Sequence, residues 1–410
     1  MDNNNKGLTP VGWVAVFLFV GCCAGAAWWY FSGRGSPGAP LASSTTASAT
    51  TNSTAVPSPA ITAPRAGALA EDVAIVIAYG TEKKRWLEWA VEEFGKAHSN
   101  IKISLLPYGS IEAAKDIPTS SKKIHGWTPA SSAFRDAFEQ EWELRYEKKP
   151  IAREETLALT PMVYVFWQER YDAFAKKNPT IDFDTIISAL RDPTGWQGIA
   201  NKPEWGVFKF GHTHPNQSNS GLMTLLLQGA EYFKSTNALT MQQVLDRGFQ
   251  EKVAALAKSV SGLSNSTGTL MKDMVLRGPS TYDAVFVYES VAIDFLKNAQ
   301  GRWGALRVVY PKYNCWSDNP FYVLNAPGET AEETKATLAF LDFLMSEPAQ
   351  KKALEHGFRP GNPAVPVVAP DSPFTLYSDY GLRVEINNVA HIPPSEVITN
   401  LTTAWQRSQK

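Results

Sequence analysis

The stretch from Gly211 to Leu222, with the sequence GHTHPNQSNSGL, holds the residue types most able to do chemistry. It runs directly into LMTLLLQGAEYF, an apolar segment typical of a buried helix. Ser218 and Ser220 could cap a helix that begins near Leu222 by accepting hydrogen bonds from its first amides. The same groups could bind a solute, because a helix N-terminus carries spare donors and partial positive charge. We expect both roles, with the stretch forming one wall of a solute pocket.

A metal site in this stretch has less support. His212 and His214 alternate, so both would face one side of an extended segment, as two metal ligands would. Neither an HExxH motif nor an acidic cluster accompanies them. We therefore predict no metal and no other cofactor, and we expect the histidines to orient the loop or to donate to a solute.

Serine hydrolase chemistry is the enzymatic alternative. Residues 120–123 match S-x-x-K and residues 317–319 match S-D-N, but the sequence has no K-T-G element and no G-x-S-x-G elbow. A pairing of Ser218 or Ser220 with His214 lacks an orienting acid that the sequence identifies. The chain is predicted not to be an enzyme.

The composition excludes one class of partner and one class of cross-link. The 410 residues include 39 Lys and Arg against 40 Asp and Glu, a net charge of −1, so no basic field attracts nucleic acid. Cys22 and Cys23 lie in an apolar leader, and Cys315 alone remains in the globular part, which excludes an internal disulfide there. The length allows two lobes or domains after the leader.

The leader predicts attachment to a membrane. Residues 11–31 carry no charge and can span a bilayer as a helix, with Trp28 and Trp29 near one end. We assign residues 1–31 to a transmembrane anchor, with lipidation at Cys22 and cleavage as a signal peptide as alternatives. Residues 32–69 are rich in Ser, Thr, Ala and Pro and predict a disordered linker. The binding domain is therefore expected on the extracytoplasmic (periplasmic or extracellular) side of the cell membrane.

The rest of the chain alternates strand and helix signals. Continuous apolar runs, typical of strands buried on both faces, occur at 72–80, 101–109, 156–167, 283–293 and 304–311. A helix is predicted from about Glu82. Near the C-terminus Thr330 and Glu333 form a capping-box pattern, and Ser346 starts the next helix. This alternation predicts an α/β body with mainly parallel sheets.

Several other loops repeat the pattern of hydroxyls and glycine before a helix. Each alone is ordinary capping, but together they would converge on one pocket if the predicted fold is right. The predicted ligand contacts are Thr81, Ser110, Ser131, Thr213, His214, Ser218, Ser220, Gly221, Ser266, Thr267, Tyr282, Tyr288 and Glu289. Lys83, Lys84 and Arg85 follow the first of these loops and are expected either on a solvated face or at the mouth of a cleft.

Four longer segments give the chain a family resemblance: LTPMVYVFW, PEWGVFKFGHTHPNQSNSGL, STGTLMKDMVLRGPSTYDAVFVYES and FLDFLMSEPAQKKALEHGFRP. With them, residues 70–410 resemble bacterial extracellular solute-binding proteins, the receptors that hand solutes to ABC importers. The last segment is similar to the family's C-terminal FLxFLLSxxxQxxALxxGFRP signature. The resemblance is specific for the fold and says much less about the solute.

The resemblance implies a two-lobed, periplasmic-binding-protein-like clamp of type II, whose strands cross between the lobes twice. Lobe one would comprise residues 70–162 and 312–410, and lobe two residues 163–311, with the solute between them. The implied function is a monomeric receptor that closes on a small solute and presents it to ABC transporter membrane subunits. The donor-rich helix starts favour a small anion, although Trp127 and two tyrosines could stack on a sugar. A membrane-tethered sensory or surface module without an importer, and a serine hydrolase, are the alternative functions.

Overall fold

The computed structural model describes residues 72–260, 263–299 and 303–409. The predicted anchor and linker, residues 1–69, lie outside the described residues. In the described part of the chain, none of the helices combines the length and the apolar character that crossing a bilayer requires.

The described residues form eleven strands and fifteen α-helices. The strands are β1 (Val73–Tyr79), β2 (Ile101–Pro107), β3 (Gly126–Thr128), β4 (Ile151–Thr156), β5 (Ala158–Leu159), β6 (Met162–Trp167), β7 (Phe210–Gly211), β8 (Ala284–Tyr288), β9 (Leu306–Val309), β10 (Pro320–Leu324) and β11 (Arg359–Pro360). The helices are α1 (Lys84–Ala97), α2 (Ser110–Asp116), α3 (Arg135–Tyr146), α4 (Gln168–Lys177), α5 (Phe183–Arg191), α6 (Trp196–Ala200), α7 (Asn219–Phe233), α8 (Met241–Val244), α9 (Arg247–Ser259), α10 (Thr267–Arg277), α11 (Glu289–Ala299), α12 (Ala331–Leu344), α13 (Glu347–Glu355), α14 (Pro373–Leu376) and α15 (Ser395–Ser408).

The first sheet has five strands in the order β2–β1–β3–β10–β4. β1 runs parallel to β2 and β3, whereas β10 runs antiparallel to β3 and β4. Ile75 and Ile77 of β1 are fully buried and share a core with Trp86 of α1 and Phe340 of α12. The apolar residues of β1 and the apolar faces of these two helices therefore form one hydrophobic core between the sheet and the helices.

The second sheet has four strands in the order β7–β8–β6–β9. β6 is antiparallel to β8 and β9, and β7 is parallel to β8. Every residue of β6 and β8 is buried, as their unbroken apolar sequences require of central strands covered on both faces.

Two segments connect the sheets, residues 157–161 and 310–319. They pair with each other, because Thr160 and Ser317 exchange backbone hydrogen bonds of 3.0 and 2.9 Å. The carboxamide of Asn314 adds bonds of 2.9 and 2.8 Å to the backbone N–H and C=O of Met162. The halves that carry the two sheets are thus joined by a short, paired ribbon.

Three expectations from the sequence need correction. Both sheets are mixed rather than mainly parallel, because apolar runs report burial on two faces and carry no information about strand direction. The run 156–167 is broken at Pro161 into β5 and β6, and the run 283–293 turns into a helix at Glu289. The last helix, α15, packs on α7, α8 and α9 of the second half, although residues 312–410 were assigned to lobe one.

The predicted capping box is confirmed at the start of α12. The Thr330 hydroxyl accepts a hydrogen bond from the Glu333 amide at 3.2 Å, and the Glu333 carboxylate accepts one from the Thr330 amide at 2.7 Å. Both hydrogen bonds join residues only three apart in the sequence, so the capping box could be predicted without knowledge of the fold.

Candidate functional site

A cavity of 40 Å³ lies between the two halves, where β1, β2 and β8 end and where α7 and α10 begin. A single buried water needs roughly 10–15 Å³ by this measure, so the cavity suits a group of a few heavy atoms. Its lining residues are Gly80, Thr81, Glu82, Tyr108, Gly109, Ser110, Ala130, Gln217, Ser218, Asn219, Asn265, Ser266, Thr267, Gly268 and Tyr288.

The start of α7 forms one wall of this cavity. The helix begins at Asn219, three residues before the predicted start near Leu222, and Ser218 is its N-cap residue. The predicted capping by serine hydroxyls is wrong, since in the described structure no side chain caps α7 and the Ser218 hydroxyl instead bonds Ser220 Oγ at 3.2 Å. The first amides of a helix lack intrahelical acceptors, so α7 presents uncapped donors beside the cavity.

The start of α10 repeats this arrangement. Its N-cap residue is Ser266, and no capping bond from a side chain is found there among the described residues. Ser220 Oγ lies 2.6 Å from Thr267 Oγ1 and 2.6 Å from Thr213 Oγ1. The fully buried Ser220 hydroxyl therefore ties the two helix starts together from behind.

Asn219 and Tyr288 lie at the floor of the cavity. Asn219 is 4% exposed, and its Nδ2 donates to Tyr288 Oη at 2.8 Å and to Ser317 Oγ at 3.4 Å. Within the described residues, Asn219 Oδ1 has no hydrogen-bond partner. Burial raises the pKa of Tyr288 well above its usual value, with a contribution from the negative charge of Glu82, so the phenol stays protonated.

The opposite wall comes from the loops that follow β1 and β2. The Glu82 carboxylate folds back over Gly80, where an added Cβ would lie 2.3 Å from Glu82 Oε1, so a larger residue at position 80 would displace this carboxylate. Glu82 pairs at 2.5 Å with the ammonium of Lys83, which also donates to Asn319 Oδ1 at 2.9 Å. Lys83 is fully buried, so its predicted place on a solvated face is wrong. Burial lowers the pKa of Lys83, and the charge of Glu82 opposes that effect.

Arg85, predicted with Lys83 on the first helix, reaches across to the second half. Both Asp294 carboxylate oxygens lie 3.0 Å from Arg85 Nη1. Next to the cavity, an added Cβ on Gly109 would lie 3.5 Å from Gln217 O. The two halves are therefore in contact at Arg85–Asp294 and at Gly109–Gln217.

Six of the thirteen predicted ligand contacts line the cavity: Thr81, Ser110, Ser218, Ser266, Thr267 and Tyr288. They come from both halves and from five separate loops or strand ends. Their meeting is what the sequence-based hypothesis of converging hydroxyl-rich helix starts requires.

Four of the other predicted contacts lie directly behind this lining. Thr213 and Ser220 belong to the hydroxyl chain described above. Gly221 packs against the loop before α7, where an added Cβ would lie 2.5 Å from Thr213 O. His214 accepts a hydrogen bond from the Asn216 amide through Nδ1 and packs edge-on against Trp405. These residues position the lining rather than form it.

The remaining three predicted contacts lie apart from the cavity lining. Ser131 accepts a bond from the Ala133 amide and so caps a short 3₁₀ turn. Tyr282 packs against Gly211, and Glu289 belongs to a separate buried ion pair. Trp127, considered above as a residue that could stack on a sugar, is a core residue whose ring is tilted against those of Phe138 and Tyr322. The sequence could not separate these roles, because capping, core and pocket residues share the same composition.

Glu289 is the clearest departure from its predicted role. It is fully buried and accepts two bonds of 2.8 Å from Arg359 and another from Tyr310. Burial raises the pKa of Glu289, whereas Arg359 favours the ionised form. Arg359 also donates to the backbone carbonyls of Arg383 and Val384, so the cluster fastens the C-terminal segment to the end of β8.

The two histidines before α7 differ from a metal-binding pair. His212 is buried, its Nδ1 lies 2.8 Å from Thr213 O, and burial lowers its pKa to about 4. No group of three or more His, Cys, Asp or Glu side chains positioned for a metal ion occurs in the part of the chain that the structure describes.

Two important lining residues were not predicted from the sequence. Asn219 is the first residue of α7 and lies between two serines whose hydroxyls are the more common helix-start ligands. Glu82 looked like an ordinary acidic residue in the first turn of a helix, where carboxylates are common. Asn219 could have been predicted from its position directly after the N-cap residue Ser218, where a side chain lies at the start of the helix.

Comparisons with known proteins place this architecture. A family model described as bacterial extracellular solute-binding protein matches residues 75–359. A substrate-binding protein of an ABC transporter from Agrobacterium tumefaciens has a similar structure, with 13% identity, a TM-score of 0.57 and coverage of 83% of this chain and 95% of that chain. The sulfate-binding protein SubI from Mycobacterium tuberculosis is also similar, with 15% identity, a TM-score of 0.53 and coverage of 80% of this chain and 96% of that chain. The periplasmic binding protein AfuA from Actinobacillus pleuropneumoniae, with fructose-6-phosphate bound, has 13% identity, a TM-score of 0.55 and coverage of 82% of this chain and 98% of that chain.

No curated relative matches the chain by sequence. At these identities the structural matches establish the fold, and the family follows from the model that covers most of the described body. The chain belongs to the family of bacterial extracellular solute-binding proteins.

Proposed function

We propose that this receptor captures a small oxyanion between its two halves and presents it to an ABC importer. The observation that carries the proposal is the convergence of two uncapped helix starts, those of α7 and α10, on one cavity that both halves line. Helix N-termini bind anions through backbone N–H groups and the helix dipole. The buried Asn219 Oδ1, which has no hydrogen-bond partner among the described residues, lies at the same place and supports a ligand that completes the site.

The size and lining of the cavity favour an inorganic anion over a sugar. A volume of 40 Å³ leaves room for a tetrahedral oxyanion and little more. Hydroxyls from Thr81, Ser218 and Thr267 supply donors in addition to the helix amides. Trp127, which could have stacked on a sugar ring, lies in the core instead.

The similar structures support the same chemistry and the same partner. One of them is named as a sulfate-binding protein, and another contains a bound sugar phosphate, so both are linked to anionic groups. A third is a substrate-binding protein of an ABC transporter. The predicted anchor and linker in residues 1–69 would hold the receptor at the extracytoplasmic face of the membrane, next to such a transporter.

Hinge closure is the mechanism that fits these contacts. The halves are joined by the paired segments 157–161 and 310–319 and touch again through Arg85–Asp294. Asn219 also bonds Ser317 of the connecting segment. We assign the bend to the paired segments, between a lobe around the first sheet and a lobe around the second. A ligand that contacts both lobes favours the closed state by the free energy of those additional contacts.

Calorimetry tests the binding proposal. Purified full chain, stripped of co-purified solute by partial unfolding and refolding, is titrated with phosphate, sulfate, molybdate and glucose. At least one oxyanion should bind with 1:1 stoichiometry, and glucose should not. Ser218→Ala should weaken that binding about tenfold or more, since hydrogen bonds to charged groups contribute about 1.5–3 kcal/mol. Ser280→Ala, which removes an exposed hydroxyl at the far end of α10, is the matched control. Binding of glucose alone would contradict the proposal.

Uptake measurements separate the importer role from its alternatives. Cells that lack this chain should lose high-affinity uptake of the oxyanion that calorimetry identifies, and the intact gene should restore it. Unchanged uptake with intact binding would favour a sensory or surface module. Turnover of an ester substrate that Ser220→Ala abolishes would favour a hydrolase.

A further inference from the structure

The cavity contains acceptors as well as donors. Glu82 is the one charged residue among the fifteen described residues that line it, and its side chain is 8% exposed. The Lys83 ammonium balances this carboxylate, but it is directed to Asn319 and to the Pro129 carbonyl and does not line the cavity. The lining therefore presents a carboxylate with no free cation beside it to offset a second negative charge.

Asn219 supplies a second acceptor. Its amide nitrogen is occupied by Tyr288 and Ser317, so Oδ1 is the part of the group that remains unpartnered in the described structure. A buried acceptor without a donor is unfavourable, so a ligand that carries a donor would satisfy it. The Glu82 carboxylate and Asn219 Oδ1 both belong to residues that line the cavity at the uncapped starts of α7 and α10.

These groups discriminate between oxyanions by their protons. Sulfate and molybdate carry no proton at neutral pH. An oxygen of either anion beside the Glu82 carboxylate would therefore place two negatively charged acceptors in contact without a proton between them. Hydrogen phosphate has the same shape and still carries a P–OH group, which can donate to that carboxylate. We infer that the site selects an oxyanion that retains a proton, the hydrogen phosphate class, over fully ionised tetrahedral anions. This inference rests on the proposed oxyanion function.

Two probes test the inference without any mutation. Calorimetry at neutral pH compares inorganic phosphate with sulfate and with monofluorophosphate, which keeps the phosphorus centre and the dianionic charge but replaces the P–OH by P–F. Phosphate should bind about a hundredfold more tightly than either one. Comparable or tighter binding of sulfate, or equal binding of monofluorophosphate, would overturn the inference and leave the oxyanion function standing. Binding of none of the three would instead overturn the proposed function itself.

A charge-neutral variant locates the discrimination at Glu82. Glu82→Gln keeps an oxygen for Lys83 and gives the cavity an N–H donor, so the preference for phosphate over sulfate should fall to about tenfold or less. Glu92→Gln, which removes an exposed carboxylate from the following helix α1, should leave the preference unchanged. An unaltered preference in folded Glu82→Gln would contradict the assignment. If this variant does not fold, the monofluorophosphate comparison still decides the matter.

Discussion

The buried Glu289–Arg359 pair gives a prediction that separates a structural role from a ligand contact. Arg359→Met removes two bonds of 2.8 Å to Glu289 and leaves a fully buried carboxylate whose remaining described partner is Tyr310. Loss of one member of a buried ion pair costs about 3–5 kcal/mol. We expect the free energy of unfolding to fall by about 4 kcal/mol, measured by urea denaturation with tryptophan fluorescence.

The pH dependence of this loss follows from the pKa of Glu289. Burial already raises that pKa, and without Arg359 it rises further, so protonation can neutralise the carboxylate. The folded variant then binds more protons than the unfolded chain above the usual glutamate pKa of 4.5, and its stability falls as pH increases from there. Changing both residues to Met should be less destabilising than Arg359→Met alone, since no unpaired charge is left.

Two results would refute this account of Glu289. The first is a loss of less than about 1 kcal/mol in Arg359→Met, which would mean that the pair is not required in the folded state. The second is a Glu289→Gln variant of unchanged stability that loses ligand affinity. That result would restore Glu289 to the ligand contacts predicted from the sequence.

Three further predictions concern pH, packing and closure. The pKa of Glu231 is raised from 4.5 to about 7 by burial. The free energy of unfolding of the wild type should therefore fall as the pH rises between these values, by about 1.4 kcal/mol per pH unit and up to about 3 kcal/mol in all. Glu231→Gln should lack this fall when urea denaturation at about pH 5 is compared with that at about pH 8. Gly221→Ala should destabilise the fold by about 1–3 kcal/mol in the same assay, whereas Gly95→Ala, with no atom within 4 Å of the added Cβ, should not. Arg85→Ala should weaken anion binding less than about fivefold at low salt, because the Asp294 pair is largely solvated, and high salt should erase the difference in calorimetry. Salt-independent loss of binding in Arg85→Ala would exclude a role limited to closure.

The sequence predicted elements best where one local pattern determines the outcome. The capping box at Thr330 and Glu333 depends on residues three apart and is confirmed. The strands at 73–79 and 101–107 have long apolar runs bounded by turns and are also confirmed. Strand direction could not be predicted, because it depends on how β6, β8 and β9 connect through distant helices.

The candidate site was predicted in outline but not in its details. The hydroxyl-rich loops predicted Ser218, Ser266 and Thr267, because Ser and Thr are among the few residue types that commonly precede a helix. Whether a hydroxyl lines the cavity or lies behind it depends on which residue is first in the helix, and Ser220 lies one position too far along. The burial of Lys83 depends on Asn319, which is more than two hundred residues away in the sequence.

Anomalous diffraction from crystals of the full chain grown with arsenate tests the central claim most directly. Arsenate has the shape and the protonation behaviour of phosphate, and its arsenic atom can be located without reference to the protein. The account predicts one strong arsenic peak between the halves, within hydrogen-bonding reach of the first amides of α7 and α10. An ordered arsenate bound elsewhere, or an empty cavity at saturating arsenate, would contradict it.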